Sequence, residues 1–152
     1  MEVEIKQTEP KRVLAMRHIG PYPGIGETFG KLGQWAAEHN VPCCGALAIF
    51  YDNPMTVEES KLRSDACFLV PDGYSLDEEG VSCFDFPGGK FAVTKYVGSY
   101  SGLPQAWGSF MSGWFANSGL EYGEGETYEQ YENDPRTTEP EKLETLLFVP
   151  VK

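Results

Sequence analysis

The sequence predicts an α+β domain made of two copies of a β-β-α-β-β unit. Together the copies form an antiparallel sheet with two helices on one face and a pseudo-twofold axis between them. Three observations carry this prediction: the chain repeats itself, each copy holds short β-branched runs bounded by turn residues, and each holds one stretch with helical apolar spacing. Aligning Gly20 with Gly98 sets RVLAMRHIGPYPGIGETFGKLGQWAAEHN, from Arg12, over KFAVTKYVGSYSGLPQAWGSFMSGWFANS, from Lys90. Tyr22 then meets Tyr100, Gly24 meets Gly102 and Gly30 meets Gly108. The apolar residues Val13, Ile19, Ile25, Phe29 and Leu32 meet Phe91, Val97, Leu103, Trp107 and Phe110. With small gaps the match extends to VEIKQ over VSCFD, FYDNP over QYENDP, and SKLRSDACFLVP over EKLETLLFVP. The repeats run over roughly 2–71 and 80–152 within a single domain of residues 1–152, joined by the turn-rich PDGYSLDEEG.

Each unit opens with two β-branched runs, 3–6 and 13–19 in the first copy and 81–86 and 91–97 in the second. The intervening Glu-Pro and Pro-Gly-Gly turns predict a hairpin in each. A helix follows, with Ile25, Phe29, Leu32 and Ala36 recurring at helical spacing. In the second copy Leu103, Trp107, Phe110, Met111, Trp114 and Phe115 form a broader stripe. Two strands complete each unit, at 46–51 and 66–70, then at 127–131 and 145–149. Gly30 and Gly108 fall inside the helices, where glycine costs about 1 kcal/mol relative to alanine. Close helix approach and simple tolerance are both open explanations of that cost.

Composition narrows the function. With 41% hydrophobic and 13% aromatic residues the chain is not disordered, and no run approaches the ~18 apolar residues of a membrane span. The start MEVEIKQTEP has no secretory signal pattern, so a cytoplasmic protein is expected. The net charge of −11 argues against direct binding of nucleic acid, itself a polyanion, and for cationic ligands or basic protein faces. Cys43, Cys44, Cys67 and Cys83 lack metal-ligand spacing and read as buried free thiols. With only His18 and His39 besides, no metal site is expected. The glycines of GPYPGIGETFG do not make a phosphate loop, and no cofactor is expected.

The stretch GETYEQY, Gly125 to Tyr131, stands out because it sets Glu126 and Glu129 in a strand pattern. Matching ALAIFY to ETYEQY puts Ile49 opposite Glu129 and Ala48 opposite Tyr128. One copy thus has a core strand where the other has a carboxylate with tyrosines beside it and Trp107 and Trp114 on the preceding helix. Aromatic faces attract a cation and a carboxylate supplies the countercharge. Two alternatives stay open: Glu129 facing solvent on an ordinary sheet, and burial raising its pKa toward acid–base duty.

The segments YDNP, KLRSDA, LPQAWGSF and YEQY together resemble the GyrI-like small-molecule-binding family across essentially the whole chain. That family includes gyrase inhibitors of the SbmC type and effector-binding domains of AraC-type and MerR-type multidrug regulators. The resemblance implies the duplicated fold, a ligand cleft between the halves, and a strand glutamate in an aromatic pocket that meets cationic or amphipathic ligands. Glu129 is the match for that glutamate, and Trp107, Tyr128 and Tyr131 are its expected aromatic companions; no catalytic residue is assigned. DNA gyrase is the alternative partner that the resemblance suggests, and hydrolysis of cyclopropane-bearing toxins an alternative activity. Family regulators carry a DNA-binding module before this domain, whereas this sequence starts at the first strand, so a stand-alone binding protein is expected.

Overall fold

A computed structural model describes residues 1–76 and 78–152. The strands are β1 (Val3–Thr8), β2 (Lys11–Ile19), β3 (Ala46–Phe50), β4 (Arg63–Leu69), β5 (Ser82–Phe86), β6 (Gly89–Val97), β7 (Thr127–Tyr131) and β8 (Glu144–Pro150). The pairings β1 with β6, β6 with β8, β8 with β7, β3 with β4, β4 with β2 and β2 with β5 are antiparallel. Helix α1 (Ile25–Glu38) sits between β2 and β3. Between β6 and β7 runs α2 (Leu103–Gly108), continued by a π-helical segment Ser109–Phe115 and a last turn α3 (Ala116–Ser118). The architecture is the α+β one predicted. Among the described residues no helix is long and apolar enough to cross a membrane.

The chain divides into two compact units, one made of Met1–Thr8 with Gly89–Lys152, the other of Glu9–Gly88. In the first, the strand order is β1-β6-β8-β7, and Ala92, Leu147, Val149 and Val151 form a core with Leu103, Phe110 and Phe115 of the helix. In the second, the order is β3-β4-β2-β5, and α1 packs on β2 and β4 through Ile25, Thr28, Leu32 and Ala36.

These boundaries correct the expected hairpins. β1 pairs with β6 and β5 pairs with β2, so the opening strand of each repeat joins the unit of the other repeat. The chemistry of the connections explains it. A tight hairpin turn needs residues at positive φ, whereas Glu9, Pro10, Pro87, Gly88 and Gly89 all lie outside that region. The chain therefore runs on at both places instead of folding back.

From the first helical residue to the left-handed residue that follows, the second copy holds one residue more than the first. Both begin at equivalent residues, Ile25 and Leu103, and end at a left-handed residue, Asn40 at φ 52° or Gly119 at φ 79°. In α1 the buried Leu32 and Ala36 are four apart; in the second helix the buried Phe110 and Phe115 are five apart. The extra residue is absorbed by widening the helix into π turns, the usual consequence of a single insertion.

That insertion, together with loop differences, also shifts the alignment of β3 on β7. Phe50 pairs with Ser64 as Tyr131 pairs with Thr145, and Ile49 with Asp65 as Gln130 with Leu146. The residue equivalent to Glu129 is thus Ala48, not Ile49, and Tyr128 answers to Leu47. Ala48 is fully buried, so the position is interior in both units.

Two further expectations change. Only Cys67 is a buried thiol; Cys83 is half-buried, and Cys43 and Cys44 are exposed. A Cβ added at Gly30 or Gly108 would meet nothing within 4 Å, so neither glycine marks a close approach. Both positions are exposed. Gly30→Ala is therefore expected to stabilise the protein by about 0.5–1 kcal/mol through helix propensity alone, read as a higher urea midpoint with an unchanged slope.

Candidate functional site

Glu129 occupies the middle of β7 and is only 5% exposed. Strand side chains alternate between faces, and Glu129 pairs with Leu147, a member of the core beneath the second helix, so its carboxylate points to the helix side. There it meets two donors: Trp107 Nε1–H donates to Oε2 at 2.6 Å and the Tyr131 hydroxyl donates to Oε1 at 2.7 Å. Trp107 arrives from α2, one turn after the buried Leu103 that anchors the helix. Tyr131 lies two residues along the strand and so shares the face.

The Tyr100 ring packs against Tyr131 at 5.4 Å between centroids, and the Trp107 ring packs against Phe110 at 6.0 Å. Tyr100, Trp107 and Tyr131 are half-buried around the buried carboxylate. Directly across from Tyr131, the fully buried Thr145 hydroxyl has no hydrogen-bond partner among the described residues. Its sister Ser64 shares that condition, so the orphan hydroxyl belongs to the repeat rather than to the acid.

The isolated carboxylate expected from the sequence is therefore hydrogen-bonded at both oxygens, but by neutral groups. Among the described residues no cation pairs with it: Arg136 bonds Asp134 and Lys142 lies 3.5 Å from Glu139. Burial pushes the Glu129 pKa up, and the bonds from Trp107 and Tyr131 pull it down. The raised pKa of Tyr100 has the same source, burial first and then the negative charge of Glu129.

The other unit serves as an internal control. At the positions of Glu129, Tyr131 and Trp107 it carries Ala48, Phe50 and Phe29, while Tyr22 stands for Tyr100 and packs on Phe50 at 4.8 Å. The acid and both of its donors are replaced together. What remains is an aromatic cluster without a charge.

Of the four residues expected at the site, Glu129, Trp107 and Tyr131 are brought together and Tyr128 is not. Tyr128 is fully buried on the opposite face, stacked on Phe148 at 4.1 Å with Phe91 edge-on at 5.3 Å. Tyr100 was missed, although its repeat partner Tyr22 was visible as a signal. Trp114 packs on Phe110 at 5.9 Å within the helix core.

A second buried carboxylate, with no signal in the sequence pattern, is Asp65, 4% exposed on β4. Arg17 Nε donates to its Oδ1 at 2.7 Å and the Tyr51 hydroxyl to its Oδ2 at 2.6 Å, and the Arg17 guanidinium lies 5.0 Å from the Tyr51 ring centre. Burial and the Asp65 bond push the Tyr51 hydroxyl pKa up.

A family model for the GyrI-like small molecule binding domain matches residues 1–152. The chain belongs to the GyrI-like family. A GyrI-like relative from Serratia proteamaculans (strain 568), described as a DNA gyrase inhibitor, is 33% identical over 138 residues, 88% of each chain. By structure, this GyrI-like chain spans 97% of the EcmrR C-terminal domain at a TM-score of 0.83 and 17% identity, over 99% of its own length. It spans only 57% of the EcmrR chain in the DNA complex, at a TM-score of 0.84, 14% identity and 99% of its own length. The structure of SAV2435 bound to tetraphenylphosphonium matches at a TM-score of 0.72 and 14% identity, over 100% of this chain and 94% of that one. The last three likenesses establish the fold. The family match makes this a small-molecule-binding domain.

The raised pKa of Glu129 has a consequence for stability. Since the folded-state value lies above the ordinary carboxylate value of about 4.3, folding favours the protonated acid. That stability is fully present below about pH 4.3 and is lost as pH rises through the folded pKa. Glu129→Gln removes the dependence, and the amide can accept from Trp107 and donate to Tyr131. Urea unfolding of both proteins at pH 4 and pH 7 is expected to show the variant gaining on wild type at the higher pH.

Proposed function

We propose that the protein binds an organic cation, aromatic or amphipathic, against Glu129 beneath Trp107, Tyr131 and Tyr100. One observation carries the reading: a buried carboxylate held at both oxygens by neutral donors, without a cationic partner among the described residues. A cation arriving there supplies the missing charge, and Tyr100, Trp107 and Tyr131 are the aromatic residues beside that charge. The coordinated replacement of the acid and its donors in the other unit supports a shared purpose for the three. So does the fold likeness to SAV2435, whose structure holds a phosphonium cation. The net charge of −11 favours cations in general and disfavours nucleic acid as a partner.

Titration with tetraphenylphosphonium, followed by tryptophan fluorescence and calorimetry, is expected to saturate. Glu129→Gln should weaken it by about 1–3 kcal/mol, the scale of one charge-assisted contact, or roughly five- to 150-fold. Triphenylphosphine oxide, a neutral analogue, should be affected less. Equal affinity of variant and wild type for the cation overturns the reading.

A second reading, in which the protein restrains DNA gyrase through a protein contact, is favoured by the description of the Serratia relative as a DNA gyrase inhibitor at 33% identity. On that reading the acidic surface meets a basic face of the enzyme. Supercoiling by purified gyrase should then fall as the protein is added. Undiminished supercoiling at large excess removes it.

A further inference from the structure

The adjacent pair Cys43 and Cys44 takes no part in the Glu129 site, and both thiols are free and exposed. They lie in the connection between α1 and β3, which is fixed at both ends. Val41 N–H donates to Ala36 O at 3.0 Å, Cys44 N–H to Leu69 O at 2.9 Å, and Leu69 N–H to Gly45 O at 2.8 Å. Pro42 fixes φ just before the pair. The two thiols are thus displayed on backbone that needs little ordering to bind anything. The Cys44 thiol reaches Leu69 O at 3.4 Å, a weak thiol hydrogen bond that is easily given up.

Geometry selects what such a pair accepts. Neighbouring Cα atoms lie about 3.8 Å apart across a trans peptide, short of the roughly 4.4–6.8 Å that disulfides span. A direct S–S bond is therefore poorly suited, and a bridging atom relieves the mismatch. Zinc asks for four ligands, yet among the described residues no group of three His, Cys, Asp or Glu could hold a metal ion. Cys67 pairs with Ala15 and Cys83 with the adjacent Leu14, so those two thiols face opposite sides of the sheet and form no second pair. The centre that fits needs two thiolates and no third protein ligand. A trivalent monoorganic arsenic compound has one As–C bond and two exchangeable As–O bonds.

We propose that Cys43 and Cys44 form a dithiol site for trivalent monoorganic arsenicals. In the reaction two S–H and two As–O bonds break, two As–S bonds form, and each thiol proton leaves with a hydroxide as water. Arsenic stays trivalent, so neither oxidant nor reductant is consumed. Partial desolvation and the neighbouring Cys44 push the Cys43 thiol pKa up.

The test is intact-mass spectrometry after treatment with phenylarsine oxide in excess glutathione, a monothiol that competes for single cysteines but not for a chelating pair. The expected product carries one phenylarsenic group per chain, and dimercaptopropanol removes it. Cys43→Ser and Cys44→Ser should each abolish the glutathione-resistant adduct, while Cys67→Ser and Cys83→Ser retain it. Thermal melts of the Cys43 and Cys44 variants matching wild type assign the loss to the site, since both side chains are exposed. Absence of an adduct on the wild type, or an equally resistant adduct on the Cys43→Ser/Cys44→Ser double variant, overturns the proposal.

Discussion

A negative charge buried among rings is held in place by two neutral donors, Trp107 Nε1–H at 2.6 Å and Tyr131 O–H at 2.7 Å. An unsolvated carboxylate costs several kcal/mol unless hydrogen bonds and countercharge replace its water. The first requirement is met from within the protein, and the second is not. The bonds also fix orientation: they join the first turns of the helix to the strand beneath and hold both rings beside the carboxylate. The position of Trp107 thus depends on the acid as much as the acid depends on Trp107.

Duplication makes this arrangement interpretable. The sister unit shows what the same backbone does without a charge: Ala48, Phe50 and Phe29 occupy the equivalent positions and make an ordinary apolar layer. Removing the acid alone would leave two donors unsatisfied, and adding it alone would leave the carboxylate bare. The three residues therefore change as a set. The π-helical segment begins two residues after Trp107, so the helix that delivers the donor is also the one that absorbs an inserted residue. The widened turns spread Phe110 and Phe115 five residues apart while keeping both in the core.

Repeat and fold class were legible because strand and helix periodicities occur twice, and a pattern found twice is hard to misread. Glu129 was legible for the same reason, as a polar residue where the sister copy is apolar, and this survived a one-residue error in the alignment because Ala48 and Ile49 are both buried. Two features were not legible, and a third lay in the strand spacing itself. The exchange of β1 and β5 depends on backbone angles at Glu-Pro and Pro-Gly that composition does not reveal. The π insertion leaves no mark in a list of apolar residues. The alternation of faces, which takes Tyr128 away from the acid while keeping Tyr131 beside it, follows from a strand's period of two and could have been applied to YEQY directly.

The contrast between the two buried acids separates structure from function. Asp65 is as deeply buried as Glu129, but it lies on a strand with Arg17 2.7 Å away and Tyr51 on its other oxygen, a set whose charges cancel internally. Nothing more is asked of the surroundings, and a ligand would have to displace a formed ion pair to reach it. Glu129 accepts the same number of hydrogen bonds, yet both of its donors are neutral and its charge is not cancelled. Two carboxylates with equal burial and equal hydrogen bonding thus differ in one respect, the presence of a cation. Electrostatic attraction in a partly desolvated site scales with that uncancelled charge. On the proposed function, a ligand cation would gain from Glu129 what Arg17 already takes from Asp65, because the acid of β7 has no such partner among the described residues.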